Sequence, residues 1–364
     1  MNIAITTNDS DPNQSTFIDA QRELVKDVKC FLYGDLLPLN EYEIGYIGRQ
    51  SFWQKNINRF LKGDYKKQAF VKFLKRNKIE LILAQYGVSA AALVDICKDN
   101  NIKLIPHFHG FDAYEYNILK KFQNRYQKVF EYSSYLIAVS KAMKKQLIKL
   151  GAPEDKIIVN PCAPNDNFYN VKPDYSSNKV ITSGRFVDKK APYLAVLAFA
   201  GAKKQSPELE LVMIGDGPLM NTTMNLIKYL GLSDSIHLKG ELKRQEIIKE
   251  MNGAFCYVQH SITAKNGDSE GTPVAIMEAG AAGLPIVSTR HAGIPDVAIE
   301  GKSAILVDEQ DVKGMTDGII QLAKDRDLAK SMGENGRIYT KQHLSMKKYI
   351  DTLDRYIAKA ISNK

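Results

Sequence analysis

The chain has 364 residues, 44% of them hydrophobic and 25% charged, with a net charge of +9, which suits two globular domains better than one small core. No apolar run approaches the ~18–20 residues of a membrane span, and the N-terminus MNIAITTNDS enters as a strand without the charged-then-apolar pattern of a signal peptide. The four cysteines, Cys30, Cys97, Cys162 and Cys256, are scattered without CxxC or metal spacing, so they read as small buried hydrophobes in a reducing cytosol and not as zinc ligands.

Asn2–Thr6 reads as a strand and Gln14–Lys26 as a helix, followed by short strands near Lys29–Tyr33 and Tyr42–Ile44. Helices at Phe70–Asn77, Ser89–Asn100, Asn117–Glu131 and Lys141–Leu150 then alternate with strands at Leu81–Ala84, Lys103–Phe108, Tyr135–Val139 and Ile157–Asn160. This βα order predicts a parallel sheet covered on both faces. Ala163–Asn178 is polar and Pro-rich and reads as a linker. A second series follows, with strands at Val180–Ser183, Leu209–Ile214, Ile236–Leu238, Ala254–Val258, Leu284–Thr289 and Ala304–Val307. Helices are expected at Tyr193–Lys204, Leu219–Leu230, Lys243–Asn252 and Val312–Lys324, and across Ala329–Ile361. The fold class is therefore α/β, with two Rossmann-like domains at 1–165 and 175–345 and a C-terminal helix over 346–364. Such sheets place ligands at the carboxyl ends of their strands.

The basic excess sits mostly in the first half, in Lys62–Lys78, Lys120–Lys128 and Lys141–Lys149. Ser51–Leu61 just upstream carries the only Trp with two Phe. Two readings stand side by side: attraction to an anionic membrane surface, or lysines that solvate outer helix faces. Nucleic acid is not indicated, because no recognition motif is present and acidic residues interleave with the basic ones.

The stretch that organises the chain is Ser269–Pro295. Thr272 is expected as N-cap and Pro273 as first helical residue, with the helix ending at Gly283. Glu270 then lies just before a helix N-terminus, where the N–H groups of Gly271–Val274 can hold an electron-rich ligand. Glu278 lies on the helix behind it. Taken alone, such a pair reads as a helix-start charge and a solvated face. After the first strand of the second half, Arg185 and Lys190 could clamp a diphosphate, with Lys189 the less favoured neighbour; a plain basic loop is the alternative. Gly215–Pro218 imitates a dinucleotide fingerprint, but Met220 occupies the third glycine position. It reads as a tight turn under a nucleotide or as purely structural. At Pro106–Asp112, alternation would turn Phe108 to the core and both His107 and His109 to a cleft. His109 is the better candidate for touching a sugar hydroxyl, against a structural role. Hydroxyls and amides of the first loop, Thr7–Thr16, could line the cleft floor.

The segments SGRFVDKKAP, GDGP, HFHGFD, PNQSTFI and above all VQHSITAKNGDSEGTPVAIMEAGAAGLPIVSTRHAGIPD resemble, in content and order, the retaining glycosyltransferases of family 4, notably the exopolysaccharide enzymes of the colanic-acid and amylovoran type. The likeness covers nearly the whole chain. Two departures are visible: Lys190 precedes Ala191 where Lys-Gly is usual, and the first loop lacks the paired glycines of many relatives. The resemblance implies a GT-B fold of two facing domains with an interdomain cleft, gated by closure about Asn165–Asp174 and a C-terminal helix that crosses back to the first domain. It implies hexose transfer, with retention, from a UDP- or GDP-sugar to a saccharide or polyprenyl-diphosphate-linked acceptor, in the cytoplasm at the inner face of the cell membrane. Peripheral membrane association would run through the basic first domain.

On that resemblance Glu278 binds the ribose hydroxyls, and Glu270 with Gly271, Thr272, Pro273 and Val274 holds the transferred sugar. Arg185 and Lys190 bind the diphosphate, and Leu238–Leu242, ending at Leu242, the base. Gly215 belongs to the donor site, and His109 approaches the sugar from the other domain. No metal and no cofactor are expected, since two fixed cations take the place of a divalent ion and the nucleotide-sugar is a substrate. A nucleotide-sugar epimerase or a non-catalytic sugar-nucleotide sensor would share the fold; a NAD-dependent dehydrogenase is disfavoured by the broken glycine pattern.

Overall fold

A computed structural model describes residues 1–11, 16–48 and 65–362; the Trp-bearing stretch Ser51–Leu61 and the expected start of the first helix at Gln14 lie outside them. The chain divides into two compact units, Met1–Asn160 with Tyr349–Lys364, and Pro161–Lys348.

The first unit contains strands β1 (Ile3–Thr6), β2 (Val28–Tyr33), β3 (Asn40–Glu41), β4 (Gly45–Tyr46), β5 (Leu81–Gln85), β6 (Lys103–Phe108), β7 (Leu136–Ala138) and β8 (Ile157–Val159). They form one sheet in the order β4-β3-β2-β1-β5-β6-β7-β8. All pairings are parallel except the β2/β3 and β3/β4 contacts. Every residue of β5 is buried, as expected of a parallel strand covered by helices on both faces. The strand expected at Tyr42–Ile44 is instead the turn between β3 and β4. The Glu41 carboxylate accepts the N–H groups of Glu43 (2.8 Å) and Ile44 (2.9 Å), which satisfies the turn backbone locally.

The second unit contains β9 (Lys179–Ser183), β10 (Glu210–Ile214), β11 (Ile236–Leu238), β12 (Cys256–Gln259), β13 (Ile286–Thr289) and β14 (Ala304–Val307). Their order is β11-β10-β9-β12-β13-β14, and all are parallel. From β9 the chain builds outward through β10 and β11, then returns to lay β12 on the other side. The boundary between β9 and β12 is thus a topological switch point, where the flanking loops diverge and leave a crevice. Val180, Phe199, Leu211, Val258, Val287 and Ile319 are among the side chains of the core.

Two further expectations are corrected. The polar text at 163–178 is no free linker: it forms a turn at Asp166–Asn170, buries Phe168 and Val171, and is tied down by Tyr175, whose hydroxyl donates to the Gly283 carbonyl at 2.7 Å. The closing helix is two helices, Arg326–His343 and Met346–Ser362. The second is strongly amphipathic and buries Tyr349, Ile350, Leu353 and Ile357. From Tyr349 onward it belongs to the first unit, where the Gln21 amide donates to the Tyr349 hydroxyl at 2.5 Å.

Candidate functional site at the carboxyl edge of the second sheet

Strand β9 ends at Ser183, and the loop Gly184–Lys190 turns over the switch point. Adjacent Lys189 and Lys190 take opposite tasks. Lys189 is buried and donates to the Asp268 carboxylate at 2.9 Å and the Ser269 carbonyl at 3.4 Å, fastening the loop after β12. Lys190 is half-buried, and its Nζ lies 2.9 Å from Oε1 of Glu270. Arg185 is exposed, and among the described residues its guanidinium makes no ion pair. Arg185 and Lys190 line one small hollow together with Ser183, Gly184, Gln259 and His260.

The GDGP turn after β10 supports this loop by close approach. Gly215 has φ +130°, and a Cβ there would fall 2.0 Å from the Gly184 carbonyl oxygen, so glycine is required. Its N–H donates to the Gly240 carbonyl at 2.8 Å, while the Gly184 N–H donates to Ile214 at 3.0 Å. The segment 238–242 is thereby held beside the Gly184–Lys190 loop, with Leu242 half-buried at its end.

The helix behind Glu270 spans Val274–Ala281, with Pro273 as N-cap and no side-chain capping bond. The expected Thr272 cap and Pro273 first position are therefore shifted by one residue, because Pro273 sits at ψ 114° and is still extended. Gly283 ends the helix at φ +76°, as expected of a left-handed C-terminal residue. Gly271, Thr272 and Pro273 are buried and Val274 half-buried. Glu270 is 5% exposed. Burial alone would raise its carboxyl, but Lys190 and then Lys189 outweigh burial and hold it below the ordinary value. Glu278 goes the other way. Burial pushes it up to about 7, and Arg244 and Lys190 offset only part of that. Two acids within the field of one lysine are thus set apart in proton affinity, the pattern of a site in which each has its own task.

Four contributors were not singled out from the sequence: Arg244, His260, His291 and Glu309. The Glu270 N–H donates to Nε2 of His291 at 3.1 Å. A backbone N–H can only donate, so the imidazole proton sits on Nδ1, which faces the Glu309 carboxylate at 2.6 Å. Glu309 also accepts the Thr263 N–H at 2.8 Å. Burial would raise its carboxyl, but Thr263 and His291 hold it below the usual range. His260 follows β12 directly and His291 lies two residues past β13, so the strand-end rule contained a signal for both.

His109 belongs to the first unit. Its Nε2 lies 2.9 Å from Oε1 of Gln85. Gln85 spends its amide on Oε1 of Gln21 at 2.7 Å, so its own Oε1 accepts from an Nε2–H tautomer. The ring packs against Phe17 and Tyr86, with centroids at 4.6 and 5.0 Å. Burial first, then His107, holds its pKa well below the ordinary imidazole value. The loop is pinned by Asp112, whose carboxylate accepts N–H groups of Gly87 (2.7 Å), Gly110 (2.8 Å) and His109 (3.1 Å). His107 departs from the expectation that both histidines face a cleft. It is fully buried, as is Phe108, because helices cover both faces of β6. In the first loop, Thr7 is buried and its hydroxyl donates to Asp9 at 2.9 Å.

The second unit thus brings Arg185, Lys190, Glu270, Glu278 and Gly215 to one sheet edge. With a Rossmann-like sheet in each unit, parallel throughout in the second and mostly so in the first, this arrangement defines the GT-B class of proteins. Residues 166–339 match the family model of glycosyl transferases group 1, and residues 21–167 match that of Glycosyltransferase Family 4. The chain belongs to the family 4 glycosyltransferases. It is 30% identical over 232 residues to the putative colanic acid biosynthesis glycosyltransferase WcaL of Escherichia coli K12, covering 63% of this chain and 57% of that protein. To the amylovoran biosynthesis glycosyltransferase AmsK of Erwinia amylovora it is 28% identical over 286 residues, 76% of this chain and 70% of that one. The chain therefore spans little more than half the length of WcaL. Among solved structures, Anabaena HepE in complex with UDP superposes with a TM-score of 0.74 at 16% identity, covering 100% of both chains. Sucrose-phosphate synthase from Thermosynechococcus elongatus gives 0.77 at 15% identity, also covering 100% of both. At these identities the likeness is one of fold.

Proposed function

We propose that the protein moves a hexose, with retention of anomeric configuration, from a UDP- or GDP-sugar to a saccharide or polyprenyl-diphosphate-linked acceptor in the assembly of an exopolysaccharide. The observation that carries this reading is the Lys190–Glu270 pair, 2.9 Å apart at the switch point, beside an Arg185 with no ion-pair partner among the described residues. One engaged cation and one unengaged cation leave net positive charge at a strand-end hollow, which suits a diphosphate. The names of WcaL and AmsK support the polysaccharide context, and the UDP complex of HepE supports a uridine nucleotide.

On this reading, cleavage of the glycosyl–phosphate bond builds positive charge on the sugar ring and negative charge on the departing diphosphate. Arg185 and Lys190 neutralise the latter without a divalent metal; fixed charges of this kind are worth several kcal/mol, to order of magnitude. Glu270, kept ionised by Lys190 and Lys189, accepts hydroxyls of the transferred sugar, with the backbone of Gly271–Val274 alongside. Glu278 takes the ribose diol, Gly215 and Leu242 shape the nucleotide side, and His109, whose Nε2 proton is spent on Gln85, offers Nδ1 of a neutral ring as acceptor for a sugar hydroxyl. A phosphate oxygen of the leaving group takes the acceptor proton, so Glu270 is not assigned as nucleophile. The acceptor side works at an anionic membrane surface through the basic helices of the first unit, Tyr65–Arg76 among them.

A thermal-shift screen with UDP, GDP, ADP and their sugars tests the donor class, followed by donor turnover with wild type and Glu270→Ala. A shift with one nucleotide series, and turnover lost in the variant, is the expected result. No shift with any nucleotide and no turnover would remove the reading.

A further inference from the structure

One short segment after β14 holds two imidazoles. Glu309 engages His291, and the N–H of Gln310 donates to Nε2 of His260 at 2.9 Å. Gln310 adopts φ +68°, an uncommon conformation for a residue with a side chain, which turns its N–H onto the ring. Since that N–H only donates, Nε2 of His260 carries the lone pair and the ring proton sits on Nδ1. The side chain is 0% exposed, and among the described residues Nδ1 has no hydrogen-bond partner. A buried donor left unmet costs about as much as a broken hydrogen bond. His260 also lines the hollow shared by Arg185, Lys190 and Gly184. Burial lowers its pKa to about 4, against the opposing pull of Asp311 and Glu309, so the ring donates as a neutral group.

We propose that Nδ1–H of His260 donates a hydrogen bond to a phosphate oxygen of the nucleoside diphosphate held by Arg185 and Lys190. This rests on reading that hollow as the donor site. A phosphate oxygen only accepts, whereas a sugar hydroxyl would bring a proton of its own. Gln259, which lines the same hollow, has its Oε1 facing the Tyr257 hydroxyl at 3.1 Å. His260 is thus a third, uncharged contact beside the two cations, and Gln310 fixes which nitrogen makes it.

Two isosteres separate the contact from its support. His260→Gln can still accept the Gln310 N–H but has no donor where Nδ1 stood. His260→Asn puts an amide N–H near that position but does not reach Gln310. Affinity for UDP and GDP is measured by titration calorimetry on the full chain, beside Tm. His260→Gln is expected to lose about tenfold or more in affinity, as for a hydrogen bond to a charged group, with Tm close to wild type. His260→Asn is expected to keep affinity within about threefold while its Tm falls. If His260→Gln binds as wild type does, or if affinity simply follows Tm in both variants, the inference is overturned and the donor site stands. If wild type binds neither nucleotide, the donor-site reading fails and the inference with it.

Discussion

Replacing Glu278 by glutamine is expected to stabilise the second unit at alkaline pH while weakening its hold on a nucleotide. In the unfolded chain the carboxyl titrates near 4.5; in the fold burial lifts it to about 7, with Arg244 and Lys190 opposing. Below about pH 4.5 both states are protonated and the group contributes nothing. Between 4.5 and 7 the folded chain keeps a proton that the unfolded chain has lost, so stability falls as pH rises. Above 7 both are ionised and the full cost is present. At about 1.36 kcal/mol per pH unit, a rise from 4.5 to about 7 makes that cost about 3–3.5 kcal/mol. The side chain is only half-buried, so screening by water brings the expectation to about 2 kcal/mol. Glutamine carries no charge in either state. Its advantage should therefore be small at pH 5 and reach about 2 kcal/mol by pH 8.5, or roughly 4–8 °C in Tm for a unit of this size. Thermal unfolding of both proteins across pH 5–8.5, with UDP and GDP affinity at pH 8, is the assay. A Tm gap that stays constant with pH would refute the burial argument, and undiminished nucleotide affinity would refute the ribose assignment.

Lys190→Ala strands the Glu270 carboxylate, and breaking a buried pair this way typically costs about 3–5 kcal/mol. Urea unfolding should show that loss and its partial recovery in Lys190→Ala/Glu270→Gln, with glycosyl transfer absent from both; wild-type stability in the single variant would deny the pairing. Gly215→Ala sets a methyl against the Gly184 carbonyl, 2.0 Å away, so the Gly184–Lys190 loop must move. Tm is expected to drop by several degrees and the nucleotide response to vanish, and a variant that retains both would contradict the close approach. Reversing Lys66, Lys67 and Lys72 on the helix Tyr65–Arg76 should reduce co-sedimentation with anionic vesicles at low salt. Equal sedimentation of variant and wild type would dispose of the membrane reading.

Much of the second unit is legible in the sequence because its short apolar runs have no second use. Ile236–Leu238, Ala304–Val307 and the helix Val312–Lys324 stand where the text places them. Errors arise where long-range packing overrides local composition. Tyr42–Ile44 carries strand-forming letters, yet the Glu41 carboxylate makes it a turn. The polar 163–178 stretch hides Phe168, which is fully buried. Within the site, Arg185, Lys190, Glu270 and Glu278 are readable because charges at strand ends are conspicuous. The difference between Lys189 and Lys190 is not, since it depends on Asp268, 79 residues away. His260 and His291 escaped for the same reason: their partners at Gln310 and Glu309 lie 50 and 18 residues further on.

Those distant partners explain how a site made of loops can be held still. Gly184 donates to Ile214 at the end of β10 and Phe186 to Asp216 in the loop after it, at 3.0 and 2.8 Å, and Ile262 of the β12 loop donates to Lys189 at 2.9 Å. Glu270 then donates to His291 beyond β13, and Thr263 to Glu309 beyond β14. Each loop is bonded to a loop from another strand, so the ties run along the carboxyl edge from β10 to β14. Most of these ties use backbone atoms and none uses the side chains of Arg185, Lys190 or Glu278. A frame whose bonds are independent of the groups that meet a ligand can carry those groups preorganised, without reorganisation when charge develops. It also separates two kinds of damage: replacing Arg185 should remove a contact and leave the frame intact, whereas replacing His291 should leave the Glu270 N–H without its acceptor and displace the acid whose own carboxylate is untouched.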